Sequence, residues 1–241
     1  MKGSAPREYL LEALRNAEPA GKPHRLGGLL KALPWTAEKR RARRVRADMF
    51  SGRNSYLETT GWLRSRREKA AVDPSGRPVP WWTYPSAQFI APRIHRAMRV
   101  FEYGSGASTL WWAARVSAVV ACEYDATWYR RMSGIVPANV TLVHVPDSAN
   151  FPRQILSCDE PFDVVTIDAE ERVECARACV RAMRPDGVIV WDNSDRAKYQ
   201  EGFDFLRDLK FRRLDFFGLG PIDVTGWSTS VFYRTENCLG I

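Results

Sequence analysis

Residues 100–113 read V-F-E-Y-G-S-G-A-S-T-L-W-W-A, and no other stretch constrains the fold as strongly. An apolar run carries a carboxylate, Glu102, near its end. A turn with Gly104 and Gly106 follows, and Ser108 opens a helical stretch. Glycine lets a backbone turn tightly and lets a ligand lie against it. The helix that follows offers free N–H groups at its N-terminus. An ordinary βα turn has the same outline, but two glycines beside a carboxylate favour a ligand. The position that would complete G-x-G-x-x-G holds Thr109, so the dinucleotide fingerprint is incomplete.

Downstream, strand and helix patterns alternate. Strands are expected at 119–123, 140–145, 162–168 and 188–192, and helices at 126–132, 172–183 and 197–209. R-P-D-G from Arg184 reads as a turn. Upstream, residues 87–98 read as a helix that Pro92 interrupts. Strands rich in Val and Ile on both faces belong in a covered parallel sheet. Alternation with helices implies βαβ crossovers. Two further strands, 211–217 and 228–233, have no helix between them and should pair antiparallel. The expected fold is α/β, a doubly wound, Rossmann-like, seven-stranded sheet with an antiparallel last strand.

The chain has 241 residues, enough for one such domain plus an extension. The expected division is a basic, partly helical N-terminal extension over 1–80 and the sheet domain over 81–241. Within the extension, Tyr9, Leu10 and Leu14, and then residues 26–33, suggest short amphipathic helices. The net charge of +8 is concentrated there: residues 39–46 read K-R-R-A-R-R-V-R. Such a run is either a solvated face or a surface for an anionic partner. Nucleic acid fits that second reading, although no nucleic-acid module accompanies the run. Trp81, Trp82 and Tyr84 form either a satellite core or the mouth of a pocket. No apolar run approaches membrane-spanning length. No secretory signal is visible, and five scattered cysteines suit a reducing cytoplasm. Cys175 and Cys179, one helical turn apart, read as buried thiols rather than zinc ligands.

In a doubly wound sheet the ligand lies beyond the carboxyl ends of the strands, where the strand order reverses. The polar strand ends are therefore the candidate site: Glu102, Glu123, Asp168 and the pair Asp192 and Asn193. Glu123 follows the glycine turn by roughly twenty residues, the distance at which a carboxylate accepts ribose hydroxyls.

E-Y-G-S-G-A-S-T, A-C-E-Y-D, V-T-I-D and G-V-I-V-W-D-N-S-D-R, in that order, resemble the motifs of class I S-adenosylmethionine-dependent methyltransferases. P-W-W-T-Y-P, D-N-S-D-R, F-F-G-L-G-P-I and N-C-L-G-I resemble a bacterial group of that class, and FkbM-type enzymes are a second comparison. Ala169 departs from the glycine expected there. The resemblance implies S-adenosylmethionine as cofactor and an acceptor that is a small molecule or a sugar, methylated on oxygen. It places Gly104 and Gly106 under the methionine part of the cofactor and Glu102 near its amino group. Glu123 would bind the ribose, with Asp147 and Ser148 near the adenine. Asp168, Asp192 and Asn193 are the catalytic candidates. They also resemble the Mg²⁺ ligands of cation-dependent catechol-type O-methyltransferases, since two carboxylates and an amide oxygen suit a hard cation. No lysine stands beside Asp168; Glu170, Glu171 and Arg172 do.

Three other readings share parts of the pattern. An NAD-dependent oxidoreductase would use the same strand, turn and ribose acid, but the missing third glycine and the antiparallel ending oppose it. An RNA-associated module or RNA methyltransferase would use the basic arm. An aminopropyl transferase has the same fold, but nothing here calls for a polyamine.

Overall fold

The computed structural model describes residues 37–51 and 54–241. The short helices expected around Tyr9 and over 26–33 lie outside the described residues. Helix α1 spans Ala37–Ser51, and two short helices, α2 (Tyr56–Thr59) and α3 (Trp62–Glu68), follow it. Helix α4 (Tyr84–Ile90) ends in a 3-10 turn, Ala91–Arg93, that contains Pro92, so the helix expected over 87–98 starts three residues earlier and stops before residue 94.

Seven strands form one sheet: β1 (Arg99–Tyr103), β2 (Ala118–Glu123), β3 (Val140–His144), β4 (Phe162–Ile167), β5 (Met183–Asp192), β6 (Arg212–Gly218) and β7 (Trp227–Tyr233). Their order is β3-β2-β1-β4-β5-β7-β6. The first five run parallel, while β7 lies antiparallel between β5 and β6. This is the expected fold class. The order reverses between β1 and β4, so the crevice opens above Tyr103 and Ile167. The connecting helices are α5 (Ala107–Ala113), α6 (Ala126–Ser133), α7 (Arg172–Cys179) and α8 (Gln200–Asp208).

The pleat sends alternate side chains to opposite faces. Phe101, Tyr103, Val165, Ile167, Ile189 and Trp191 enter one apolar layer, which also holds Cys175 and Cys179 of α7. Val100, Val164, Val188 and Val190 enter the other, with Trp82, Trp111 and Trp112. Cys175 and Cys179 are the buried thiols expected, and burial pushes both thiol pKa values up. Trp82 and Tyr84 are core residues, whereas Trp81 is half-buried and donates from Nε1 to Asp223 at 2.8 Å.

The α7–β5 junction also differs from expectation. Helix α7 ends at Cys179, and β5 already begins at Met183, so R-P-D-G lies within the strand. The register moves from Phe162↔Met183 to Val164↔Val188, and the R-P-D-G turn is absorbed as a bulge. One compact unit, which holds the sheet, runs from Arg44 to Ile241. Helix α3 belongs to this unit: Trp62 donates from Nε1 to the Asp223 carbonyl at 2.7 Å, and Arg66 to that of Ile222 at 2.9 Å. Among the described residues no helix is long and apolar enough to cross a membrane.

Candidate functional site

The site begins at the β1–α5 turn. Gly104 sits at φ +93°, a left-handed conformation that disfavours side chains, and a Cβ there would meet the Asp168 carbonyl oxygen at 2.5 Å. The turn therefore needs glycine to let β1 and β4 end side by side. Gly106 is different: its φ of 170° is extended backbone that any residue adopts, and a Cβ there would meet no atom within 4 Å. Its free side opens to space that a ligand can fill.

Glu102 shares the pleat face of Val100 and is only 1% exposed. Its Oε2 accepts from the Thr109 hydroxyl, whose oxygen accepts the Gly106 N–H at 2.9 Å. Burial pushes the Glu102 carboxyl up to about 8, and the nearby negative charges of Asp168 and Glu123 add to that. Glu102 thus lies beneath the turn and secures it. Thr109, seen in the sequence only as a missing glycine, is the link between strand-end acid and helix.

Glu123 ends β2 beside the same turn. Its Oε2 accepts from the Ser105 amide at 3.2 Å and the Ser105 hydroxyl at 3.0 Å, and Oε1 from the Asp125 amide at 3.0 Å. Trp128 of α6 donates from Nε1 to the Ser105 carbonyl at 2.7 Å. Ser105 is therefore held from two sides, a role that no motif announced. Beyond β3, Asp147 binds its own loop: Oδ1 accepts from Ala149 at 2.9 Å and Oδ2 from Asn150 at 2.7 Å. Ser148 lines a cavity of about 430 Å³ between the 3-10 helix Phe151–Ser157 and α7.

At the ends of β4 and β5 the expected trio divides by its hydrogen-bond partners. Asp192 is 3% exposed, and its Oδ1 accepts from Trp227 Nε1 at 2.9 Å and Thr229 Oγ1 at 2.6 Å. Burial, and then the charge of Asp168, holds its carboxyl well above the usual carboxylate range. The other two members meet at Arg172, whose Nη2 lies 2.6 Å from Asp168 Oδ1 and 3.1 Å from Asn193 Oδ1. Asn193 holds a left-handed φ of 55°, rare for a residue with a side chain. Of these three residues, Asp168 has the partly exposed carboxylate, with 39% of its side chain accessible. Nothing in the sequence marked Trp227 or Thr229 as partners of Asp192, because they come from the antiparallel strand.

No protein-family model and no characterised protein sequence matches the chain. Solved structures do. A candidate O-methyltransferase from Klebsiella pneumoniae superimposes with a TM-score of 0.51 at 19% identity, covering 83% of this chain and 97% of that one. The O-methyltransferase TomG from Streptomyces achromogenes, solved with S-adenosylmethionine, gives 0.49 at 18% identity over 80% and 96%. A precorrin 8W decarboxylase from Methanobacterium thermoautotrophicum gives 0.48 at 19% identity over 69% and 97%. At such identities the Klebsiella likeness establishes the fold, a seven-stranded mixed sheet of the methyltransferase kind.

Proposed function

We propose that the protein is a class I S-adenosylmethionine-dependent methyltransferase, acting on an oxygen of a small-molecule or sugar acceptor. The observation that carries this reading is the cradle at the sheet's reversal point. There Gly106 opens to free space, while Glu123 clasps the neighbouring Ser105. The ordered strand-end acids and the shared fold support it.

In this reading the glycine turn lies under the methionine portion of the cofactor. Glu102 acts from below through Thr109, keeping the N–H groups of the turn in place. Ribose hydroxyls take over the place that the Ser105 hydroxyl holds on Glu123. Asp147 and Ser148 border the adenine end. S-adenosylmethionine supplies a methyl group on a positively charged sulfur, so the protein mainly has to align an acceptor oxygen. Asp168, the partly exposed acid beside Gly104, takes the acceptor's hydroxyl hydrogen. Asp192 and Asn193 shape its surroundings. Five free thiols suit a cytoplasmic protein.

Calorimetry with S-adenosylmethionine, S-adenosylhomocysteine and NAD tests the assignment. Micromolar binding of the first two and none of NAD is expected. Binding of NAD alone would return the chain to the oxidoreductases.

A further inference from the structure

We propose that Arg172 occupies the place that a divalent cation would take between β4 and β5, so that this site works with a built-in guanidinium and without Mg²⁺. The inference deepens the methyltransferase reading, because it concerns the acceptor side of the same crevice.

Arg172 is the first residue of α7, and its side chain is only 7% exposed. Four oxygens from the two strand ends surround it. Nη2 donates to Asp168 Oδ1 at 2.6 Å and to Asn193 Oδ1 at 3.1 Å. Nε donates to the Asp192 carbonyl at 3.1 Å, and Nη1 to the Ala169 carbonyl. The guanidinium carbon also lies 5.4 Å from the centre of the Tyr199 ring. A buried arginine is stable only when such partners satisfy its charge and its donors, and here oxygens from β4, β5 and their loops do so.

The same oxygens are hard-cation ligands, but Mg²⁺ requires a near-octahedral shell at about 2.0–2.1 Å. A guanidinium within hydrogen-bonding distance of Asp168 and Asn193 fills that centre and repels a second cation. The third expected ligand already has one carboxylate oxygen engaged, since Asp192 Oδ1 accepts from Trp227 and Thr229 of β7. The residues therefore do not fit a metal. Arg172 is a positioning residue: it fixes Asp168 and the left-handed Asn193 while leaving the Asp168 carboxylate partly exposed. An acceptor then needs no pair of chelating oxygens.

Mn²⁺ serves as the probe, followed by electron paramagnetic resonance on the full chain, with thermal melts to verify folding. Wild-type protein and Arg172→Lys are expected to bind Mn²⁺ no more tightly than Asp168→Asn does. Arg172→Ala frees the four oxygens and should bind Mn²⁺ at least about tenfold more tightly, a gain of the size that changes around metal ligands produce. Adding Asp168→Asn to it should abolish the gain. Wild-type binding that Asp168→Asn removes would overturn the inference, as would a folded Arg172→Ala with no gain. If Arg172→Ala fails to fold, the comparison of wild type, Arg172→Lys and Asp168→Asn still decides. S-adenosylmethionine calorimetry on the same samples keeps the two readings apart: lost cofactor binding with the expected Mn²⁺ pattern defeats the methyltransferase assignment alone.

Discussion

The Thr109 hydroxyl donates to Glu102 Oε2 beneath the glycine turn while its oxygen receives the Gly106 N–H. One buried acid thus holds the geometry of the turn, and its protonation is coupled to stability. The folded value near 8 lies above the ordinary 4.5, so between them the folded protein holds a proton that the unfolded chain releases. That stabilisation is complete below the unfolded value and is lost as pH rises through the folded one. Asp192, raised by burial, acts in the same direction. Wild-type stability should therefore fall between about pH 5 and pH 8, and Glu102→Gln should flatten that decline by about 1–3 kcal/mol. Denaturant melts across the range check this. Parallel curves for the two proteins would place the titration elsewhere.

The two turn glycines should behave differently. Gly104→Ala brings a Cβ to 2.5 Å from the Asp168 carbonyl oxygen in a left-handed conformation, so it should destabilise the fold by about 1–3 kcal/mol. Blocking a ligand is thus only part of what a larger residue does there. Gly106→Val enters open space, and its melting temperature should remain near wild type. It should weaken S-adenosylmethionine binding by about tenfold or more, as expected when a well-fitted surface is overfilled by 1–3 kcal/mol. Full affinity in Gly106→Val would mean that the cofactor lies somewhere else.

Glu123 and Ser105 make a second pair. Hydrogen bonds to a charged group contribute about 1.5–3 kcal/mol, so Glu123→Ala should lower cofactor affinity by roughly 10- to 100-fold. Ser105→Ala removes only the hydroxyl that the ribose replaces, so its affinity should match or slightly exceed wild type. Calorimetry on both variants distinguishes a ribose site from a purely structural clasp. A loss in Ser105→Ala as large as that in Glu123→Ala would favour the clasp.

The strand ends were legible because burial and period leave few ways to place an acid at the end of an apolar run. Glu123 and Asp192 end their strands, Glu102 is next to last in β1, and Asp168 directly follows β4. What each carboxylate touches was not legible, since it depends on partners distant in the chain. Asp192 binds Trp227 and Thr229, 35 and 37 residues away, through an antiparallel pairing whose register no local spacing encodes. Arg172 was visible as the residue near Asp168 where a lysine was sought. Its reach across to Asn193, 21 residues on, needed the β4–β5 pairing. The R-P-D-G segment misled for a related reason: turn residues look alike in a loop and in a bulge.

The basic run lies on α1, where Arg40, Arg41, Arg44 and Arg46 are all exposed. Exposed charges of this kind alter stability by less than about 0.5 kcal/mol each. Replacing these four arginines with Gln should therefore leave the melting temperature nearly unchanged. If the helix serves an anionic partner, the effect should appear in association. Heparin is a suitable polyanion probe, and the slope of log affinity against log salt should fall by about one for each arginine in contact. The Arg172→Lys variant, altered inside the crevice, should keep the wild-type slope. An unchanged slope in the fourfold variant would make α1 a solvated face and place any attraction for anionic acceptors elsewhere on the surface.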